Sequence, residues 1–374
     1  MQSNQNITER LSTMIKTNQK GVLASVVSVQ GSAYKREGAK MIVRADGEYH
    51  GLISGGCLES DVSAIAVQVE ETGIPMIKKY ELNEELVWGL GLGCPGTVEI
   101  LIEPVSFSAD WKHLADAYVN AEEMVVCKVL QTKETCSPLL LVTNSDVFGN
   151  WTDEVLQEMA VSIAHQKLRQ QAAAPESICL KAKNGKEVFV FFDVHFPAPQ
   201  LVIFGAGDDA IPLANLSAML GFQTTVIDPR PAFNTKERFP LAEILIAGPE
   251  KYENLSVIDS RSYIVIMNHQ FERDTNALTF ALQSAAPYVG LLGPRTRREK
   301  MIAHLQNQGI VFSKEEMKKL FSPIGLDIGA DTSEEIGLSI MAEIIAFRNR
   351  HQGGFLREQS FIHQKPRIPV NGKR

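Results

Sequence analysis

The chain is short of cysteine, of positive charge and of long apolar runs, and each shortage removes a class of answer. Its five cysteines (57, 94, 127, 136 and 179) are odd in number and never spaced C-x-x-C. They form neither a disulfide framework nor a zinc knuckle. A net charge of -7 and a pI near 5.7 leave no broad basic surface, which argues against nucleic acid as the main partner. No window reaches the roughly 18 uninterrupted apolar residues that a membrane-spanning helix needs. The opening residues lack a basic segment leading into an apolar one, so no secretory signal is read there and a cytoplasmic location with reduced thiols is expected. No Ser/His/Asp set and no metal-binding helix motif stands out, so no metal site is expected.

What is present is globular. Apolar residues make up 44% and charged residues 22% of 374 positions, a size that suggests more than one domain. The first half reads as mixed α+β. Ile7, Leu11, Met14 and Ile15 repeat at helical spacing, and strands are expected over 21–29, 40–45 and 48–53, with Asp46-Gly47 as a hairpin turn. The third strand runs into Ser54-Gly55-Gly56-Cys57-Leu58-Glu59, and a helical pattern follows to Glu71. Paired glycines let the backbone take positive φ and let a ligand approach the main chain. A cysteine in the first turn of a helix would have its thiolate stabilised by free N–H groups, although a small buried hydrophobe in a tight turn has the same local pattern.

A second cysteine sits in Gly89-Leu90-Gly91-Leu92-Gly93-Cys94-Pro95-Gly96, after a strand at 77–82 and before one at 97–103. Two glycine-flanked cysteines beside strands could converge on one site or be unrelated turns. Residues 106–195, with a long helix over 150–171, are expected to complete the first domain's sheet. Pro197-Ala198-Pro199 reads as a short linker. The expected division is 1–195, with a motif core to 105, then 196–350, then a basic tail over 351–374.

Beyond the linker the pattern changes to apolar strands alternating with helices, the signature of a doubly wound parallel sheet. Leu201 to Phe204 is followed by Gly205-Ala206-Gly207-Asp208-Asp209-Ala210 and a helix. Gly205 would make the tight turn, Gly207 would clear room for a pyrophosphate, and Ala210 would take the small packing position. Asp228, 21 residues past Gly207 at the next strand end, could accept from a ribose hydroxyl. Asp208 and Asp209 would repel a phosphate or cap the helix, and Arg230 could neutralise the site or favour a phosphorylated ribose. His269 reads as a polar loop residue before it reads as an acid, base or ligand. Arg295 to Arg298 form a basic cluster suited to phosphate or to a solvated helix start. Ile324 to Ala330 is a glycine-punctuated loop, and Thr332-x-x-Glu335 a capping box.

The stretches Gly31-Ser32, Gly38-Ala39-Lys40-Met41, Ser54 to Glu59 and Gly91 to Cys94 resemble the XdhC/CoxI family of xanthine dehydrogenase accessory factors. So do Val202 to Gly207, Tyr288 to Gly293 and Pro323 to Ala330. The motifs occur in family order over most of the chain and are weakest from about 106 to 195. The resemblance implies an α+β domain followed by a Rossmann-like one. It also implies a non-catalytic chaperone that binds molybdenum cofactor, as the pyranopterin or its dinucleotide. The chaperone would support the cofactor's sulfuration with a cysteine desulfurase and deliver it to a xanthine dehydrogenase-type enzyme of purine catabolism. A homodimer is the expected assembly. Cys57 and Cys94 match the family's cysteine positions and become the candidate thiols, with Gly55, Gly56, Gly205, Gly207, Ala210 and Asp228 as further cofactor contacts. The chain departs from the family at Asp208, where many members have histidine. It departs again at Asn268-His269-Gln270-Phe271, where many have a Thr-His-x-His-like segment. The competing readings are an NAD(P)-dependent oxidoreductase with Cys57 as thiol catalyst, and a purely structural subunit.

Overall fold

A computed structural model describes residues 4–31, 33–82, 96–130, 138–170, 173–255 and 257–358. The chain divides into two compact units, Met1–Pro197 and Ala198–Arg374.

The first unit holds two antiparallel sheets. One comprises β1 (Gly21–Gly31), β2 (Lys40–Arg44), β3 (Tyr49–Gly51), β4 (Met76–Leu82) and β5 (Gly96–Pro104), in the order β3-β2-β1-β5-β4. The second comprises β6 (Met124–Leu130), β7 (Leu140–Thr143), β8 (Val147–Phe148), β9 (Glu176–Lys181) and β10 (Glu187–His195), in the order β8-β7-β6-β10-β9. Residues 106–195 were expected to extend the first sheet, and they form one of their own. The central strand β1 is already flanked by β2 and β5, and the later strands satisfy their backbone groups on one another.

Apolar spacing sets the packing. Helix α1 (Asn4–Lys16) and helix α3 (Ala109–Val119) bury Ile7, Leu11, Ile15, Trp111 and Leu114 together with Leu23 and Ile42 of one sheet and Met124, Val126 and Leu141 of the other. Helix α2 (Glu59–Thr72) lays Val62, Ala66 and Val69 on the first sheet, and Gly73 ends it in the left-handed region. Helix α4 (Glu154–Leu168) covers the second sheet with Leu156, Ala160 and Ala164. It is shorter than the expected 150–171 because the Asp153 carboxylate accepts the Leu156 N–H at 2.9 Å and caps it there. Polar ties also join the sheets. Lys40 pairs with Asp193 at 2.8 Å, Lys128 pairs with Glu103, and the Ser177 hydroxyl donates to the Val27 carbonyl at 2.6 Å.

The second unit is one parallel six-stranded sheet. Its strands are β11 (Gln200–Phe204), β12 (Gln223–Ile227), β13 (Glu243–Leu245), β14 (Ser262–Ile266), β15 (Tyr288–Leu291) and β16 (Leu320–Phe321), in the order β13-β12-β11-β14-β15-β16. This is the doubly wound order, in which direction reverses between β11 and β14 and a crevice opens beyond their carboxyl ends. Helices α5 (Ala210–Met219) and α9 (Ser333–Arg348) cover one face, and α6 (Phe271–Gln283) and α7 (Arg295–Asn307) the other. A short α8 (Lys314–Lys318) precedes β16. The Thr332–Glu335 capping box is present at the start of α9. Among the described residues no helix is long and apolar enough to cross a membrane.

Candidate functional site

The first candidate site lies where β3 gives way to α2. A strand was expected to run to Ile53, but β3 stops at Gly51. The cause is Glu59, a fully buried side chain. Its Oε1 accepts the N–H groups of Ile53 at 3.1 Å and Ser54 at 2.8 Å, and its Oε2 accepts the Ser54 hydroxyl. Those donors therefore leave the sheet. Burial alone would push the Glu59 carboxyl up, yet the hydrogen bonds from Ser54, Ile53 and its own N–H prevail and lower it.

Ser54 in turn organises the loop. Its Oγ accepts from the N–H groups of Gly56 at 3.2 Å, Cys57 at 3.2 Å and Leu58 at 3.1 Å, and lies 3.4 Å from Cys57 Sγ. Cys57 was expected in the first turn of the helix, facing free N–H groups. It stands instead before the cap residue Leu58, and the adjacent amides are committed to Ser54. The thiol is part-buried beside an open backbone. Gly56 has φ +108°, which a side chain would resist, and nothing lies within 4 Å of where its Cβ would stand. Above Gly55 sits the exposed Tyr34 ring, whose carbons would be 3.6 Å from a Cβ there. Glu59 and Tyr34 were not singled out from the sequence; a glutamate two residues past the cysteine was the available signal for the first. Gly91, Gly93 and Cys94 lie outside the described residues, so no convergence of the two cysteine loops is drawn. Of the other thiols among the described residues, Cys127 is buried, with its pKa pushed well up by that burial, and Cys179 is exposed on β9.

The second candidate site is the crevice of the parallel sheet. Gly205 takes φ +119°, and a Cβ there would stand 2.6 Å from the Met267 carbonyl oxygen, so only glycine lets β11 and β14 end so close. Ala210 is fully buried in the small position where α5 crosses the sheet. Asp228 sits at the end of β12, also fully buried. Its Oδ2 accepts the Ala206 N–H at 2.9 Å and Arg230 Nη2 at 2.7 Å, and its Oδ1 accepts the Arg230 N–H at 2.8 Å and Nε at 2.9 Å. Burial pushes its carboxyl up, and these bonds more than reverse the effect.

The acids after the second glycine are also engaged. Asp208 meets Arg238 at 2.5 Å, and Arg238 also donates to the Ala206 carbonyl at 2.8 Å. Asp209, beside Gly207, meets His269 Nε2 at 2.5 Å, a bond that spans the ends of β11 and β14. His269 holds φ 58°, a strained conformation for a residue with a side chain. The basic cluster at the start of α7 is turned to structural use. Arg297 pairs with the buried Asp274 at 2.7 Å, Arg298 donates to the Ser322 carbonyl at 2.8 Å, and Arg295 pairs with Glu299 at 2.8 Å. The glycine-punctuated loop is tied to α9, where the Ser339 hydroxyl donates to the Leu326 carbonyl at 2.6 Å.

Comparison with known proteins covers both units. Residues 14–81 match the model of the XdhC and CoxI family, and residues 201–344 match that of the XdhC Rossmann domain. The chain is 33% identical over 349 residues to a Bacillus subtilis (strain 168) protein named as a probable xanthine dehydrogenase subunit, covering 91% of this chain and 97% of that one. It is 24% identical over 336 residues to PaoD of Escherichia coli (strain K12), named a molybdenum cofactor insertion chaperone, covering 87% and 83%. A crystal structure described as a xanthine dehydrogenase from Bacillus halodurans superposes with a TM-score of 0.72 at 32% identity, over 93% of this chain and 97% of that one. With both of its folded units matched in order, the chain belongs to the XdhC and CoxI family.

Proposed function

We propose that the protein is an accessory chaperone for a xanthine dehydrogenase-type molybdoenzyme. It binds molybdenum cofactor, supports its sulfuration by a cysteine desulfurase, and hands it to the client enzyme. The reading is supported by a likeness running through both units to relatives named for xanthine dehydrogenase and for molybdenum cofactor insertion. The observation that carries it is the Cys57 loop, in which a part-buried thiol lies beside the open face of Gly56 and the exposed Tyr34 ring stands over Gly55. These residues fit the group. A flat heterocycle stacks on an aromatic face, glycine backbone tolerates close approach, and a thiol is a soft donor suited to a sulfur-rich metal centre. Tyr34, Gly55, Gly56 and Cys57 would hold the cofactor, which supplies the redox chemistry only once it is in the client. The chain's own task is retention: Ser54 and Glu59 keep the loop in one conformation so that little ordering is needed on binding.

Purification of the full chain from a cofactor-producing host, with metal analysis and pterin fluorescence, tests this. Wild type is expected to carry molybdenum and pterin, and Cys57→Ala and Cys94→Ala to lose cofactor or client activation. A wild type that neither retains nor binds cofactor, with Cys57→Ala still activating the client, rules the function out. Unchanged loads in both variants would remove the thiol assignment alone. The Gly205–Gly207 loop favours a second reading, an NAD(P)-dependent oxidoreductase, which requires saturable NAD or NADP binding with turnover. Homodimerisation and a cytoplasmic location belong to the same proposal, and gel filtration with light scattering measures the first.

A further inference from the structure

Asp228 occupies the position from which a carboxylate usually accepts a ribose hydroxyl in a dinucleotide site. Here it has no capacity left to do so. An ionised carboxylate offers roughly four lone-pair sites. Those of Asp228 take the Ala206 N–H, the Arg230 N–H, and Nε and Nη2 of the Arg230 guanidinium. The side chain of Asp228 is 0% exposed, whereas that of Arg230 is 36% exposed. A ligand arriving at the end of β12 therefore meets the guanidinium and not the carboxylate.

Arg230 is also held in place. Its guanidinium carbon lies 4.3 Å from the centroid of the Phe233 ring, and its inner edge is bound to Asp228. The remaining donors of the fork face away from that carboxylate, and a fixed fork suits a phosphate, which accepts through several oxygens at once. A ribose diol could only accept there, and its own O–H protons would find no acceptor on the guanidinium. The acids nearest the glycine loop already have partners: Asp208 is paired with Arg238, and Asp209 is hydrogen-bonded to His269. That second bond joins the loops after β11 and β14 beside Gly207.

We propose that Arg230, and not Asp228, is the ligand-recognition residue of the second unit, and that it reads a phosphate monoester. Asp228 is its positioning residue. The ligand class deepens the chaperone reading and rests on it for one of two sources: the terminal phosphate of a pyranopterin, or the 2′-phosphate of a nucleotide.

Equilibrium titration of the full chain with two matched pairs of probes tests this. NADP and NAD differ by one phosphate monoester. The pyranopterin monophosphate and its dinucleotide differ in that only the first ends in a monoester. In at least one pair the monoester-bearing probe is expected to bind about tenfold or more tightly, a gap of about 1.4 kcal/mol. The pair that shows it identifies the source. Arg230→Gln is expected to abolish the preference and Arg230→Lys to weaken it, with thermal melts checking that each variant is folded. Asp228→Asn, folded, is expected to weaken the preference without abolishing it, because the fork loses the carboxylate that fixes it and keeps its own donors. A complete loss equal to that of Arg230→Gln would return the recognition role to Asp228. No preference in either pair, no binding of any probe, or a preference that survives Arg230→Gln overturns the proposal. Cofactor still co-purifying after such a failure leaves the chaperone function standing. An Arg230-dependent NADP preference in a chain that never carries cofactor does the reverse.

Discussion

Glu59 shows how one buried side chain can set both an element boundary and a candidate site. It takes three donors that would otherwise be buried without partners: two backbone N–H groups and the Ser54 hydroxyl. Truncating it leaves them unsatisfied, so Glu59→Ala is expected to destabilise the first unit by about 3 kcal/mol, read by urea denaturation. Ser54→Ala is expected to cost about 1–2 kcal/mol on the same grounds, since the amides it serves lie nearer to solvent. A half-buried group makes a pH prediction. Burial, aided by the Lys40 ammonium and opposed by Asp193, pushes His195 from 6.5 down to about 4. The histidine is thus neutral when folded and gains a proton more readily when unfolded. Its contribution is fully present above pH 6.5 and is lost as pH falls toward 4, an effect of about 3 kcal/mol at the lower end. His195→Gln is expected to flatten that part of the stability profile when denaturation is compared at pH 7 and pH 5, and an unchanged slope would count against this account.

At the level of elements, ends and turns carry more information than interiors. Gly205 is required by the close approach of the Met267 carbonyl. Gly205→Val is expected to push β11 and β14 apart and to lower the melting temperature of the second unit by several degrees or abolish its folding. At the other end of the scale, Thr332→Ala removes one half of the α9 capping box and is expected to cost about 1 kcal/mol. The same contrast explains what could be read in advance. The helix at 333–348 announces itself by its box, and β11 by an apolar run that ends in glycine. The true end of β3 was hidden, because it depends on a side chain eight residues beyond Gly51 folding back to capture backbone donors. The two-residue strand β16 has no periodicity of its own and exists through pairing with β15.

At the scale of the molecule, each unit has its own core. The second unit buries clusters on both faces of its sheet, one around Leu213, Tyr263 and Ile340 and one around Phe204, Leu278 and Met301. A fragment spanning 198–374 is therefore expected to unfold cooperatively by itself in denaturant with a circular dichroism readout. A gradual, non-cooperative loss of signal would show that it needs the first unit. Within the first unit the two sheets are fastened by Lys40–Asp193 as well as by apolar contact. Lys40→Ala strands a buried carboxylate and is expected to cost about 3 kcal/mol. Lys40 lies in one of the stretches that carry the family resemblance, and its place in the structure assigns it to holding the fold.

The periodic features of this protein were determined by its sequence alone: the mixed first half, the alternating second half, the glycine turn after β11 and the family to which they point. These depend on neighbours within a few residues, where apolar spacing and backbone freedom act directly. Tertiary structure alone decided which polar groups are free. Asp228 carries the right spacing for a ribose acceptor, yet it is spent on Arg230 and Ala206. Cys57 precedes its helix, because Ser54 and Glu59 claim the loop amides. Hydrogen-bonding capacity is a shared and limited quantity, and who holds it is set by side chains that meet only once the chain has folded.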